Sequence, residues 1–217
     1  MSEELGRIER LSVDSYRAGR KLLFVPLVFA PKEPRPDLAE RINRYWEQVQ
    51  AQLANLEKRL GSVVRIYHEL VPVGGEDGAR AIEELNEGSY KITRVWLEKG
   101  AELQPLEDGE LLAEFMDWSK CLSVGLQSQV ALTKVYEFYA EAHKKRNEHL
   151  AKKIDATLKD DELGILLMRE GHQVQFPLSI QVFYVAPPSL DELKRWLRER
   201  QVEAEGAGKE PDEHTGR

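Results

Sequence analysis

Arg146 stands on a helix stripe where a charge is out of place. Tyr139, His143, Arg146 and Leu150 follow one another at spacings of four, three and four, so they share one helix face. A buried Arg or His needs a partner, and a carboxylate or phosphate supplies one. Arg146, His143 and Arg169 are therefore candidates to bind a small anionic ligand. The alternative is an Arg whose stem packs while its head reaches solvent or a structural carboxylate. A short apolar run later in the chain, Gly164–Met168, ends in Arg169-Glu170-Gly171-His172. The glycine permits a sharp turn, and groups beyond the carboxyl end of a strand line the ligand crevice of open α/β sheets. His172 and Glu170 are thus candidates for acid–base catalysis, against a plain polar loop leading into Gln173–Pro177.

His68-Glu69 closes another apolar run. Strand alternation sends the two side chains to opposite faces. His68 shares its face with Val64 and Ile66 and reads as a core histidine. With His172, this pair also supplies the candidate ligands (His68, Glu69, His172) for a divalent metal. Gly74-Gly75-Glu76-Asp77-Gly78 has the place of a phosphate loop but lacks its Lys-Ser/Thr and its glycine spacing. A turn with an Asp cap suits it better. Cys121 reads as a small buried hydrophobe rather than a nucleophile. The chain has no C-x-x-C, H-E-x-x-H or G-x-S-x-G.

The elements that must position these groups follow from hydrophobic periodicity. Residues 21–30 form a buried strand, and Pro31–Asp37 breaks it. A helix follows to Leu60 with Asp37 as its cap, and Gly61 ends it. A second strand covers Ser62–Val73. A helix over Gly78–Lys99 comes next, with Gly88 a point of interruption. Another begins after Asp108, and the longest ends near Leu158, capped by Asp117 or Ser123. Strands at Gly164–Met168 and Ile180–Val185 precede a short helix capped by Ser189. This order predicts one α/β domain with a small, largely parallel sheet and several covering helices. Residues 1–19 read as a polar lead-in and 20–200 as the domain. A helical insertion at about 76–158 is expected to form a cap or layer over one sheet edge, and 201–217 a disordered tail.

The chain has 217 residues, 32% of them charged, with a net charge of −7. That size buries a core without disulfide staples. The acidic balance argues against nucleic acid and against an anionic membrane surface. A single cysteine and an acidic N-terminus without an apolar stretch fit the cytoplasm of a prokaryote. A homo-oligomer is compatible with the pattern.

The block Arg146-Asn-Glu-His-Leu-Ala-Lys-Lys-Ile154, followed by Gly164-Ile-Leu-Leu-Met-Arg-Glu-Gly171-His172, resembles the late part of the TraB/PrgY-like and ChaN-like proteins. There an Arg-bearing helix leads into a strand ending at glycine and histidine. The resemblance implies that Arg146 and His172 carry over and that the domain is hydrolase-like. Those families also have an early strand ending in Gly-x-x-His or Gly-Glu-x-His. The counterpart here, Arg65-Ile-Tyr-His68-Glu69, lacks the glycine. Two readings stand: a ligand-binding or hydrolase-like domain with its site at the carboxyl edge of the sheet, or a non-catalytic interaction or assembly module. In the second, Trp46, Trp96 and exposed helix faces matter more than the histidines.

Overall fold

A computed structural model describes residues 18–207. The elements in chain order are β1 (Arg20–Pro26), α1 (Pro36–Leu60), β2 (Val63–His68), α2 (Gly75–Leu85), α3 (Glu87–Glu98), β3 (Glu102–Gln104), α4 (Gly109–Ser123), α5 (Gln129–Thr157), β4 (Leu163–Met168), β5 (Ile180–Tyr184) and α6 (Pro188–Ala207). The strands form one sheet in the order β3-β2-β4-β1-β5, and every pairing is parallel. This is the single-domain α/β fold that the sequence predicts.

Parallel sheets need cover on both faces. One face carries α1, α2, α3 and α6, whose Tyr45, Val49, Leu53, Ile82, Trp96 and Leu193 close a core on Leu23, Ile66 and Ile165. The other face carries α5, whose Leu150 and Ile154 pack on Leu22, Tyr67 and Leu166. The connection 169–179 between β4 and β5 contains no helix. It covers Phe24 on this second face through Val174 and Phe176.

Several boundaries differ from expectation, each for a local reason. The expected 76–158 insertion contains β3, a three-residue edge strand paired with Arg65–Tyr67. Its helices therefore divide between both faces of the sheet instead of capping one edge. Asn86 splits the expected Gly78–Lys99 helix, because its side chain accepts the Ser89 N–H and starts α3 afresh. Gly74, rather than an Asp, stands at the cap of α2. Ser128, not Asp117 or Ser123, caps α5. Pro36 opens α1, so Asp37 lies in its first turn. Ser189 lies inside α6 behind Pro188, its hydroxyl buried without a partner. That helix runs to Ala207, past the expected start of the tail. Residues 208–217 of the expected tail and 1–17 of the expected lead-in lie outside the described residues. No helix among the described residues is long and apolar enough to cross a membrane.

Candidate functional site

The exits of neighbouring strands β2 and β3 diverge. The chain leaves β2 for α2 and α3 on one face, and leaves β3 for α4 and α5, of which α5 lies on the other. Such a divergence opens a crevice at the carboxyl edge of an α/β sheet. Here the crevice holds four charged side chains. Glu69 follows β2, Glu107 follows β3, Arg169 follows β4, and Arg146 reaches in from α5.

Arg146 is 3% exposed. Its Nε donates to Glu107 at 2.9 Å and one terminal nitrogen donates to both Glu107 and Glu69, the latter at 3.1 Å. Its guanidinium also lies 4.8 Å from the Phe115 ring of α4. Arg169 completes the set from the rim. Its backbone N–H donates to Glu69 at 2.9 Å and its guanidinium at 2.8 to 3.2 Å. Burial alone would raise the Glu69 pKa, but the Arg169 bonds and the two positive charges hold it below the usual carboxylate range. Two carboxylates and two guanidiniums balance to zero charge. Buried ions survive only when paired and hydrogen-bonded in this way.

The backbone between the carboxylates is strained to fit. Leu70 has a φ of 69°, a region that bulky residues avoid. That turn aims the Leu70 N–H at Glu107 Oε1, 3.0 Å away. Strain of this kind is retained where the surrounding structure demands it, often at functional sites.

Beside the network lies an open cleft of about 970 Å³ between α5 and residues 173–175. His143, Asn147, Lys144, Lys152 and Gln173 line it. His143 stacks on Phe115 and Tyr139 and its Nε2 meets the Asn147 amide at 3.2 Å. Burial, then the charges of Arg146 and Arg169, push the His143 pKa below its ordinary value. Near neutral pH it is an uncharged imidazole.

The structure gathers only some of the sequence candidates. Arg146, Glu69 and Arg169 meet directly, and His143 faces the cleft next to them. Arg146 directs its Nε and one terminal nitrogen to Glu107 and Glu69, so two carboxylates already answer its charge. The expected pairing of Glu170 with His172 is not formed. The Glu170 carboxylate takes bonds from the Tyr184 hydroxyl and the Lys194 ammonium, on the side of β5 and α6. His172 packs on Phe24 and Phe176, and its Nδ1 accepts the Val174 N–H at 3.2 Å. It braces the 169–179 connection.

The metal candidates do not assemble either. His68 is fully buried on the α3 side, with Nδ1 at 2.6 Å from the Glu69 carbonyl and Nε2 at 2.9 Å from the Ser89 hydroxyl. Glu69 points to the opposite side, as the alternation predicts. Among the described residues no three His, Cys, Asp or Glu side chains gather as a metal would require. Trp96, a candidate contact surface, is wholly buried and donates to Glu57. Sequence reasoning missed Glu107. Its only signal is an acidic residue just beyond Pro105, and that position reads equally well as part of the Asp108 cap.

No protein-family model, no curated protein and no solved structure matches the chain. The TraB/PrgY-like and ChaN-like resemblance therefore rests on the late helix–strand block alone.

Proposed function

We propose that this domain binds a small anionic molecule in the cleft over α5. Lys152 meets the negative charge, Lys144 is shared with Glu148 at 4.0 Å on the same cleft, and neutral His143 and the Asn147 amide supply directional hydrogen bonds. The Glu69–Arg146–Glu107–Arg169 network is then the rigid floor that positions α5 against β2 and β4, not the anion receptor itself. One observation carries this reading. A chain has little stability to gain from buried ions over an apolar core of equal volume, yet this one buries Arg146, Glu69 and Glu107, with Arg169 on the rim, close to an open cleft and next to a strained Leu70. The hydrolase form, which the resemblance implies, uses uncharged His143 as general base on bound water.

The test is a thermal-shift screen of anionic metabolites and divalent ions, repeated on variants. A ligand of this cleft raises the midpoint of the native chain, less so in His143→Ala or Lys152→Ala, and fully in Glu170→Gln. If no compound shifts the midpoint, or if the shift survives both cleft variants, the reading fails.

A second reading, assembly, has its own observation. The segment 121–133, which joins α4 to α5, contains no charged residue. Val124 and Val130 there are 72% and 75% exposed, and Tyr136 and Phe138 are also exposed further along α5. Depletion of charge together with exposed apolar groups characterises interface cores. Mass measurement in solution before and after Val130→Glu tests it.

A further inference from the structure

The two edges of the sheet, β3 and β5, are unequal. A strand edge carries unpaired N–H and C=O groups, and natural edges are blunted by shortness, charge or proline. β3 is blunted, being three residues long and carrying Glu102, which pairs with Arg65. β5, Ile180-Gln-Val-Phe-Tyr184, is not. Among the described residues it pairs with β1 alone. The Val185 N–H donates to the Phe24 carbonyl of β1 at 2.8 Å. Alternation along the strand then turns the backbone N–H and C=O of Val182 and Tyr184 to the open side. Ile180 also faces that side, and its N–H is already taken by the Pro177 carbonyl at 2.9 Å.

The side chains beside this edge are apolar and open. Strands of a parallel sheet are normally covered on both faces, as β1 and β4 are. In β5 only Ile180 is buried. Val182 and Tyr184, on the face that carries α5, are 43% and 49% exposed, and Leu178 just before the strand is fully exposed. The cause is the helix-free connection 169–179, which reaches Phe24 but leaves β5 uncovered. Charge is missing too. From Gly171 to Leu190 there is no Asp, Glu, Lys or Arg, in a chain where these make up 32%. Charge depletion together with exposed apolar groups marks an interface core.

We propose that β5 pairs with β5 of a second copy of this chain, antiparallel about a two-fold axis at Val182, to make one continuous sheet. The direction of the backbone groups selects this register. Val182 and the partner's Val182 exchange both hydrogen bonds, the pattern of a directly opposed antiparallel pair, and the Tyr184 N–H donates to the partner's Ile180 carbonyl. The side chains match as well. A residue on a two-fold axis meets itself, and like charges directly opposed destabilise a strand pair. Here Val182 meets valine and Ile180 meets tyrosine, so no charge opposes its own copy. An isologous contact of this kind closes at two chains. It depends neither on the α5 cleft nor on the α4–α5 hairpin.

Sedimentation equilibrium of the full chain across a dilution series tests this, with amide hydrogen exchange as the second readout. The native chain forms a dimer, and exchange at the Val182 and Tyr184 N–H slows as the dimer fills. Val182→Pro removes only an outward N–H, which an edge strand tolerates, and raises the dissociation constant at least about tenfold while the far-ultraviolet dichroism stays native. Val182→Lys keeps the N–H and sets two like charges across the axis, with the same result, and it carries the test if the proline variant misfolds. Val130→Glu on the α4–α5 hairpin keeps the dimer. A native chain that is monomeric at every concentration overturns the proposal, and so does a folded Val182→Pro or Val182→Lys that dimerises as the native chain does. A monomer in which the Val182 and Tyr184 amides are already protected also overturns it, because another part of the same chain then covers the edge.

Discussion

Arg146 donates to Glu69 at 3.1 Å from 77 positions further along the chain, and the same guanidinium nitrogen reaches Glu107. One side chain thereby ties the ends of β2 and β3 to the helix on the far face of the sheet. Arg146→Met removes the charge but keeps most of the volume, leaving two buried carboxylates opposite each other with Arg169 alone to answer them. Breaking a buried ion network in this way costs about 3 to 5 kcal/mol. A urea titration reads it as a lower midpoint at unchanged slope. A midpoint within error of the native chain would mean that the network contributes nothing to holding α5.

His68 gives a pH dependence of definite sign. Burial lowers its pKa to about 4, against about 6.5 for a solvated imidazole. The native state therefore keeps it neutral while the unfolded chain takes up a proton as pH falls below 6.5. Its contribution is fully present above pH 6.5 and is lost progressively down to about pH 4, amounting to roughly 3 kcal/mol. Stability curves measured between pH 4 and 7.5 show this slope, and His68→Gln, which cannot titrate, flattens it. An equal slope in the variant would assign the loss to other groups.

The legible parts of this chain were those where one residue broke a local pattern. Arg146 announced itself as a charge on an apolar helix stripe, and strand alternation alone placed His68 and Glu69 on opposite faces. The continuous apolar run at 21–30 marked a strand covered on both sides, as β1 is. What stayed hidden depends on contacts distant in sequence. β3 is three residues long and is a strand only because Arg65–Tyr67 lie beside it. Glu107 is buried because Arg146, 39 positions later, neutralises it. Glu170 and His172 looked like a pair because they are neighbours in sequence. The turn after β4 sends one to Tyr184 and Lys194 and the other to Phe24.

Leu70 allows a test by ordering rather than by a single value. Its φ of 69° suits glycine and penalises β-branched residues most. Leu70→Gly relieves strain of about 1 to 3 kcal/mol while giving up a half-buried apolar side chain, so the two effects nearly offset. Leu70→Val keeps apolar surface but worsens the backbone, and loses more than about 1 kcal/mol. Chemical denaturation of the two variants should rank Val well below Gly. The reverse ranking would show that side-chain burial, not the turn aimed at Glu107, governs this position.

The α4–α5 hairpin separates folding from assembly. Its inner end is anchored by Phe115 over Arg146 and by Ala142, Leu150 and Ile154 on α5. Its outer part buries little, with Trp118 stacked on Phe138 as its main internal contact. Two helices alone leave part of each apolar stripe open, and pairing with two more is the common solution. Val130 is so exposed that Val130→Glu should change thermal stability of the monomer by no more than about 0.5 kcal/mol. If the hairpin is an assembly surface, the same charge placed in a charge-free interface raises the dissociation constant at least about tenfold, read by light scattering across a dilution series. A native chain that stays monomeric at every concentration would remove self-assembly and leave the hairpin to a different partner. A variant that loses stability and association together would show that the hairpin folds only when paired.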